Sequence, residues 1–116
     1  MAAISVNDLV DRLDELQGKP IEVVGILTWE TENCALWHFP KAERRGVSES
    51  DPPVERSSVW LSFGTGSLQP NERALKRWHG KRVSATGVVY GPRGPGGCGH
   101  FGGWGCEIEP YSIQRI

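Results

Sequence analysis

The feature that most constrains this chain is a phrase that occurs twice. Residues 13–27 run Leu-Asp-Glu-Leu-Gln-Gly-Lys-Pro-Ile-Glu-Val-Val-Gly-Ile-Leu, and residues 75–89 run Leu-Lys-Arg-Trp-His-Gly-Lys-Arg-Val-Ser-Ala-Thr-Gly-Val-Val. Each copy reads as a helix end, a glycine stop, and an alternating strand with a glycine in its middle. A glycine inside a strand marks a bend or a close backbone approach, which a small closed sheet needs where its strands turn corners. The repeat therefore speaks to fold and names no activity.

The rest of the chain fits around the two copies. Ser5-Val6-Asn7-Asp8 opens a helix: Ser5 can accept from the amide three residues on, and Asp8 lies in the electropositive first turn. Val6, Leu9, Val10, Leu13 and Leu16 recur at helical spacing, which predicts one amphipathic helix over 6–17 closed by Gly18. Strands are predicted at 20–29 and 34–39, joined by the polar turn Glu30-Thr31-Glu32-Asn33. Residues 40–56 are polar and carry Pro52-Pro53, so they read as a long mobile surface loop. A third strand is predicted at 57–63, a helix at 72–79 capped by Asn71, and a fourth strand at 81–90. Residues 91–105 hold eight glycines and two prolines and read as a flexible loop that orders on meeting a partner. A fifth strand over 106–116 is expected to kink at Pro110.

At 116 residues this is one domain with room for a modest core. The order helix, three strands, helix, two strands is that of an OB-fold. On the Gly-Lys-x-(Ile/Val) strand openings at Gly18 and Gly80, and the helix just before the fourth strand, the chain resembles small bacterial OB-fold proteins across nearly its whole length. The resemblance implies a mainly β fold: a five-stranded OB-fold-like antiparallel barrel with an N-terminal helix and a helix between strands three and four. Residues 38–44, 59–64 and 99–104 look like segments of uncharacterised bacterial proteins, some of which are suspected to be immunity proteins for secreted toxins.

Charge narrows the partners. The first 32 residues balance at −5, residues 33–70 at zero and residues 71–116 at +4. A pI near 6.3 argues against coating nucleic acid by charge alone. No apolar run is long enough for a membrane span, and Asp8, Asp11, Asp14 and Glu15 stand where a signal peptide would be apolar. A cytoplasmic protein is expected. Three cysteines, Cys34, Cys98 and Cys106, are an odd number and read as reduced thiols, with a Cys98–Cys106 bridge as the alternative.

In an OB-fold, ligands are commonly gripped by the face of strands two and three and by the loops joining strands 1–2 and 4–5. This chain puts Trp37 and Phe39 on the second strand, with His38 on its other face, and Trp60 and Phe63 on the third. Arg93, His100, Phe101 and Trp104 fall in the 4–5 loop. Exposed there, Trp37, Phe39, Trp60 and Trp104 would stack on bases while Arg93, Lys76, Arg77, Lys81 and Arg82 meet phosphates. Alternatively, Trp37, Trp60 and Trp78 fill a small barrel. Phe101 and Trp104 lie among glycines, fit no core periodicity, and read as a binding surface.

Other chemistry finds less support. The glycine-rich loop has no Gly-Lys-(Ser/Thr) ending and opens no helix, so it is neither a P-loop nor a dinucleotide fingerprint. Cys98-x-His100 with Cys106, and Cys34 or His38, could assemble a zinc site, but the paired spacings of structural zinc are absent. His38 near Glu30 or Glu32, or Cys98 near His100, could be drawn as catalytic pairs without a third orienting group. No cofactor, metal or catalysis is expected. The mixed charges of 40–56 suit a protein surface better than a polyanion. The expected function is non-catalytic recognition of a protein partner through Trp37, Phe39, Trp60, Arg93, His100, Phe101 and Trp104, with single-stranded nucleic acid as the alternative ligand.

Overall fold

The computed structural model describes residues 2–63, 71–93 and 96–116. Six strands form one mixed sheet: β1 (Ala3–Ser5), β2 (Pro20–Glu30), β3 (Asn33–Trp37), β4 (Ser58–Leu61), β5 (Arg82–Tyr90) and β6 (Glu107–Arg115). Among the described residues three α-helices accompany them: α1 (Val6–Asp11), α2 (Leu13–Leu16) and α3 (Glu72–Trp78). The hydrogen-bonded order is β1-β2-β3-β4-β6-β5, and β5 also pairs with β2, so the ladder returns to its long strand.

Six strands stand where five were expected. The extra one is β1, which pairs parallel with Glu22–Val24. β3 pairs only with the far half of β2, Ile26–Glu30. That leaves one edge of the near half open, and the short alternating segment Ala3–Ser5 fills it, with Ile4 packed on the core.

The predicted helix over 6–17 is two helices. Ser5 accepts from the Asp8 amide at 3.1 Å, as the capping pattern requires. The turn then breaks at Arg12 (φ −108°, ψ 20°). Val6 and Leu9 are fully buried, and the bend carries Leu13 and Leu16 onto the same core beside β5. α3 begins as expected, with the Asn71 side chain accepting from the Ala74 amide at 3.1 Å. The core lies inside the sheet and is made by inward residues such as Val23, Leu27, Leu36, Val59, Val83 and Ile108.

The two copies of the repeat pair with each other. β2 and β5 run antiparallel with Ile21 opposite Gly87, Val23 opposite Ala85 and Gly25 opposite Val83. The flanking hydrogen bonds are duplicated as well. The Gly18 amide donates to the Val89 carbonyl at 2.8 Å, and the Gly80 amide to the Leu27 carbonyl at 2.7 Å. One position earlier in each copy, a side chain caps the other strand: the Gly91 amide donates to Gln17 Oε1 at 2.9 Å and the Trp29 amide to His79 Nδ1 at 3.0 Å.

Both glycine positions of the repeat are required. Gly18 and Gly80 sit at φ +79° and +80°, the left-handed conformation that ends a helix. Gly25 and Gly87 are crowded instead. A Cβ at Gly25 would lie 2.7 Å from the Trp37 carbonyl oxygen, and one at Gly87 2.2 Å from that of Glu109. Pro110 does not interrupt β6. It pairs with Gly87 across a bulge that leaves Tyr111 unpaired and half-exposed, so the ladder absorbs the missing N–H.

Candidate functional site

Cross-strand partners share a face of a sheet, and alternate residues of a strand share it too. Ala35 pairs with Trp60 and Trp37 with Ser58, while the intervening Leu36 and Val59 point into the core. Trp37 and Trp60 therefore lie on the outward face and do not fill the interior. Trp78 does pack against the main core.

A second, smaller cluster forms on that outward face from Ala35, Cys98 and Trp104, with Trp37 and Trp60 packed beside them. Trp104 corrects the expectation of an exposed anchor: it is only 8% exposed. Its ring lies 4.8 Å from that of Trp60, and its indole N–H donates to Ser58 Oγ at 2.9 Å. The Ser58 hydroxyl in turn donates to the Leu36 carbonyl at 2.9 Å. An indole can be buried here because its one donor is satisfied.

The glycine-rich loop, expected to be flexible until it meets a partner, is tied down over its described residues. Cys98 and Trp104 exchange backbone hydrogen bonds at 2.6 and 3.1 Å, and the Glu55 amide donates to the Gly103 carbonyl at 2.9 Å. Glycine is needed because the loop is pressed down: a Cβ at Gly99 would lie 2.5 Å from the Trp60 ring, and one at Gly97 2.1 Å from the Gly102 carbonyl oxygen. At the crest stands Phe101, 93% exposed and at φ +55°. The His100 ring packs 3.9 Å from it and places Nε2 3.2 Å from a Glu32 carboxylate oxygen.

The remaining site residues have partners of their own. Arg93 lies over the Tyr90 ring at 4.1 Å and pairs with Glu109 at 2.9 Å, so its charge is already met by a carboxylate. Phe39 is half-exposed under the Arg82 guanidinium at 4.6 Å, and Arg44 lies 5.5 Å over Trp37. Arg44 and Arg82 were not expected to cover those rings. The cross-strand row Arg82–Ile26–Trp37 would have shown the second of them at the face, once the register was known.

The histidines pair differently from the expectation. His38 is buried and meets Glu43, not Glu30 or Glu32; His79 lies 3.4 Å from Glu30. The three cysteines are free. Burial pushes the Cys98 thiol up to about 11 and the Cys106 thiol to about 12, so neither is a ready nucleophile. Among the described residues, no three His, Cys, Asp or Glu side chains converge as metal ligands would. Residues 40–56, expected as a mobile loop, carry a turn of 3-10 helix at Lys41–Glu43 and a bridge between Val47 and Glu55.

No family model matches this chain, and no curated protein matches it. Among solved structures it is similar to "OBody AM2EP06 bound to hen egg-white lysozyme", with 16% identity and a TM-score of 0.47, over 88% of this chain and 83% of that one. Among the described residues, no helix is long and apolar enough to cross a membrane.

Proposed function

We propose that this chain is a non-catalytic binding protein on an OB-fold-like barrel, and that it recognises a protein partner through the crest at His100 and Phe101. The return of the ladder to β2 supports the barrel. Phe101 carries the functional reading. Its ring is 93% exposed, and it sits in a left-handed conformation that a phenylalanine adopts only at a cost. An apolar side chain held in the open at such a cost gains free energy when a partner covers it. The loop's foot is fixed by Trp104, so little ordering remains to be done on binding.

The surroundings favour a protein over a polyanion. Glu32 is next to His100, and the adjoining open cleft of about 430 Å³ is lined by Glu30, Glu32 and Glu72 against Lys76 alone. Carboxylates there repel phosphates and suit basic groups on a protein. A toxin-neutralising immunity protein is the concrete form of this reading, resting on the sequence resemblance of residues 38–44, 59–64 and 99–104.

Single-stranded nucleic acid is the second reading. It draws on Trp37 and Phe39, each covered by a guanidinium on the outward face, an arrangement that bases and phosphates can use. Capture from nuclease-treated lysate, with identification by mass spectrometry, separates the two. A stoichiometric protein retained by the wild type and lost with Phe101→Ala supports the first. Oligonucleotide binding that quenches tryptophan fluorescence, weakens steeply with salt and disappears with Arg82→Glu replaces it with the second.

A further inference from the structure

Away from the crest, His38 is the most buried histidine, 3% exposed, and both its ring nitrogens are engaged. Nδ1 accepts from the Asn7 backbone amide in the first turn of α1 at 3.1 Å, and Nε2 lies 3.1 Å from Glu43 Oε1. An acceptor at Nδ1 fixes the neutral tautomer with its proton on Nε2, donated to Glu43. The surrounding bonds join the same two segments. The Asn7 side-chain amide donates to the Glu43 carbonyl at 3.0 Å, and Ser57 Oγ donates to Asn7 Oδ1 at 2.6 Å. Within the segment, the Arg45 amide donates to that same Ser57 Oγ at 3.0 Å.

We infer that His38 is an acid-released latch between α1 and the segment 38–57. A second proton, taken from solvent, has to go onto Nδ1. It uses the lone pair that accepts from Asn7 and sets two N–H groups against each other at 3.1 Å. At 3% exposure the ring has almost no contact with solvent, and an orphaned donor in such a place is costly. The charged groups nearest the ring are Glu43, at Nε2, and Arg44, which donates to the His38 carbonyl at 2.9 Å. On α1, Asp11 is engaged by Arg45 at 2.8 Å and Asp8 by Arg12 at 3.6 Å, so neither carboxylate is free to neutralise the ring. The opened segment leads through Glu55 to Gly103 and the foot of the crest, so acid loosens that support while the β2–β5 ladder stays paired.

The test is amide hydrogen exchange by NMR on the full chain at pH 8 and pH 5, corrected for intrinsic rates, with the His38 ring shifts followed in parallel. The Asn7 and Arg45 amides are expected to lose protection at least tenfold as the ring titrates, with Val23 and Ala85 unchanged. His38→Asn keeps an acceptor near Nδ1 and cannot titrate, so its Asn7 protection should not vary with pH. Should that variant fail to fold, His38→Gln offers an acceptor on a longer side chain that also cannot titrate, and is read in the same way. The inference is overturned if Asn7 stays protected while the ring is protonated, or if either variant opens over the same pH range as the wild type.

Discussion

Val23 and Ala85 occupy the same place in the two copies of the repeat, and they stand directly opposite each other in the β2–β5 ladder. Pairing at that register makes the ladder nearly symmetric about them. Two kinds of bond that one copy makes to the other beyond this point are matched: those donated by the amides of Gly18 and Gly80, and the side-chain caps of Gln17 and His79.

The two glycines of each copy should therefore respond differently to substitution. Gly87→Ala places a methyl against backbone atoms of Glu109 and Pro110, which cannot step aside. A loss of about 3 kcal/mol is expected. Gly18→Ala meets no neighbour within 4 Å and costs only the left-handed strain, about 1 kcal/mol. Urea midpoints of the two variants measure the contrast.

Trp104 is expected to behave as a structural residue. Trp104→Ala removes the stacking on Trp60 and should cost about 3 kcal/mol. Trp104→Phe keeps much of the packing and loses the bond to Ser58, with a cost of about 1 kcal/mol. Thermal melts of both variants measure the two costs, which would be nearly equal if the indole N–H mattered more than the ring.

Phe101 should show the opposite profile. Phe101→Gly gives up little buried area, chiefly the contact with the His100 ring, and relieves the positive φ, so stability should hold or rise by up to about 1 kcal/mol. Capture of the partner should fall at least tenfold. A variant that loses stability would place the ring in the fold rather than at an interface.

The buried thiols predict an alkaline limit. Burial raises Cys98 to about 11 and Cys106 to about 12, so the folded chain holds these protons at pH values where the unfolded chain releases them. Their contribution is full below the ordinary thiol value and is lost as pH climbs from about 9 towards 12. Urea midpoints should fall over that range, and less steeply in the Cys98→Ala, Cys106→Ala double variant. Alkylation of native protein at pH 8 should reach the half-buried Cys34 first.

Much of this fold was legible because the relevant signals are local. The repeat, the Ser5 and Asn71 caps and the alternation of β2 and β5 each act within a few residues. β1 was missed because nothing in Ala3–Ser5 shows that half of β2 has an open edge; that depends on where β3 stops. For the candidate site, the sequence shows which residues are unusual and not how each one is set in the fold. Phe101 and Trp104 are three residues apart among glycines, and only the folded loop shows that one stands clear while the other is buried on Ser58 and Trp60. The sequence alone pairs His38 with Glu30 or Glu32, whereas its partners Asn7 and Glu43 come from either side of it in the chain and only the fold brings both to the ring.

The reciprocal bonds between the two copies also mean that neither half of the chain is self-sufficient. Cut between β3 and β4, the N-terminal piece would keep Gly18 and Trp29 but lose Val89 and His79, and the C-terminal piece would keep Gly80 and Gly91 but lose Leu27 and Gln17. Each piece holds what the other lacks. Such fragments should stay unfolded alone and recover the native sheet when mixed, which would make this small chain a natural split reporter.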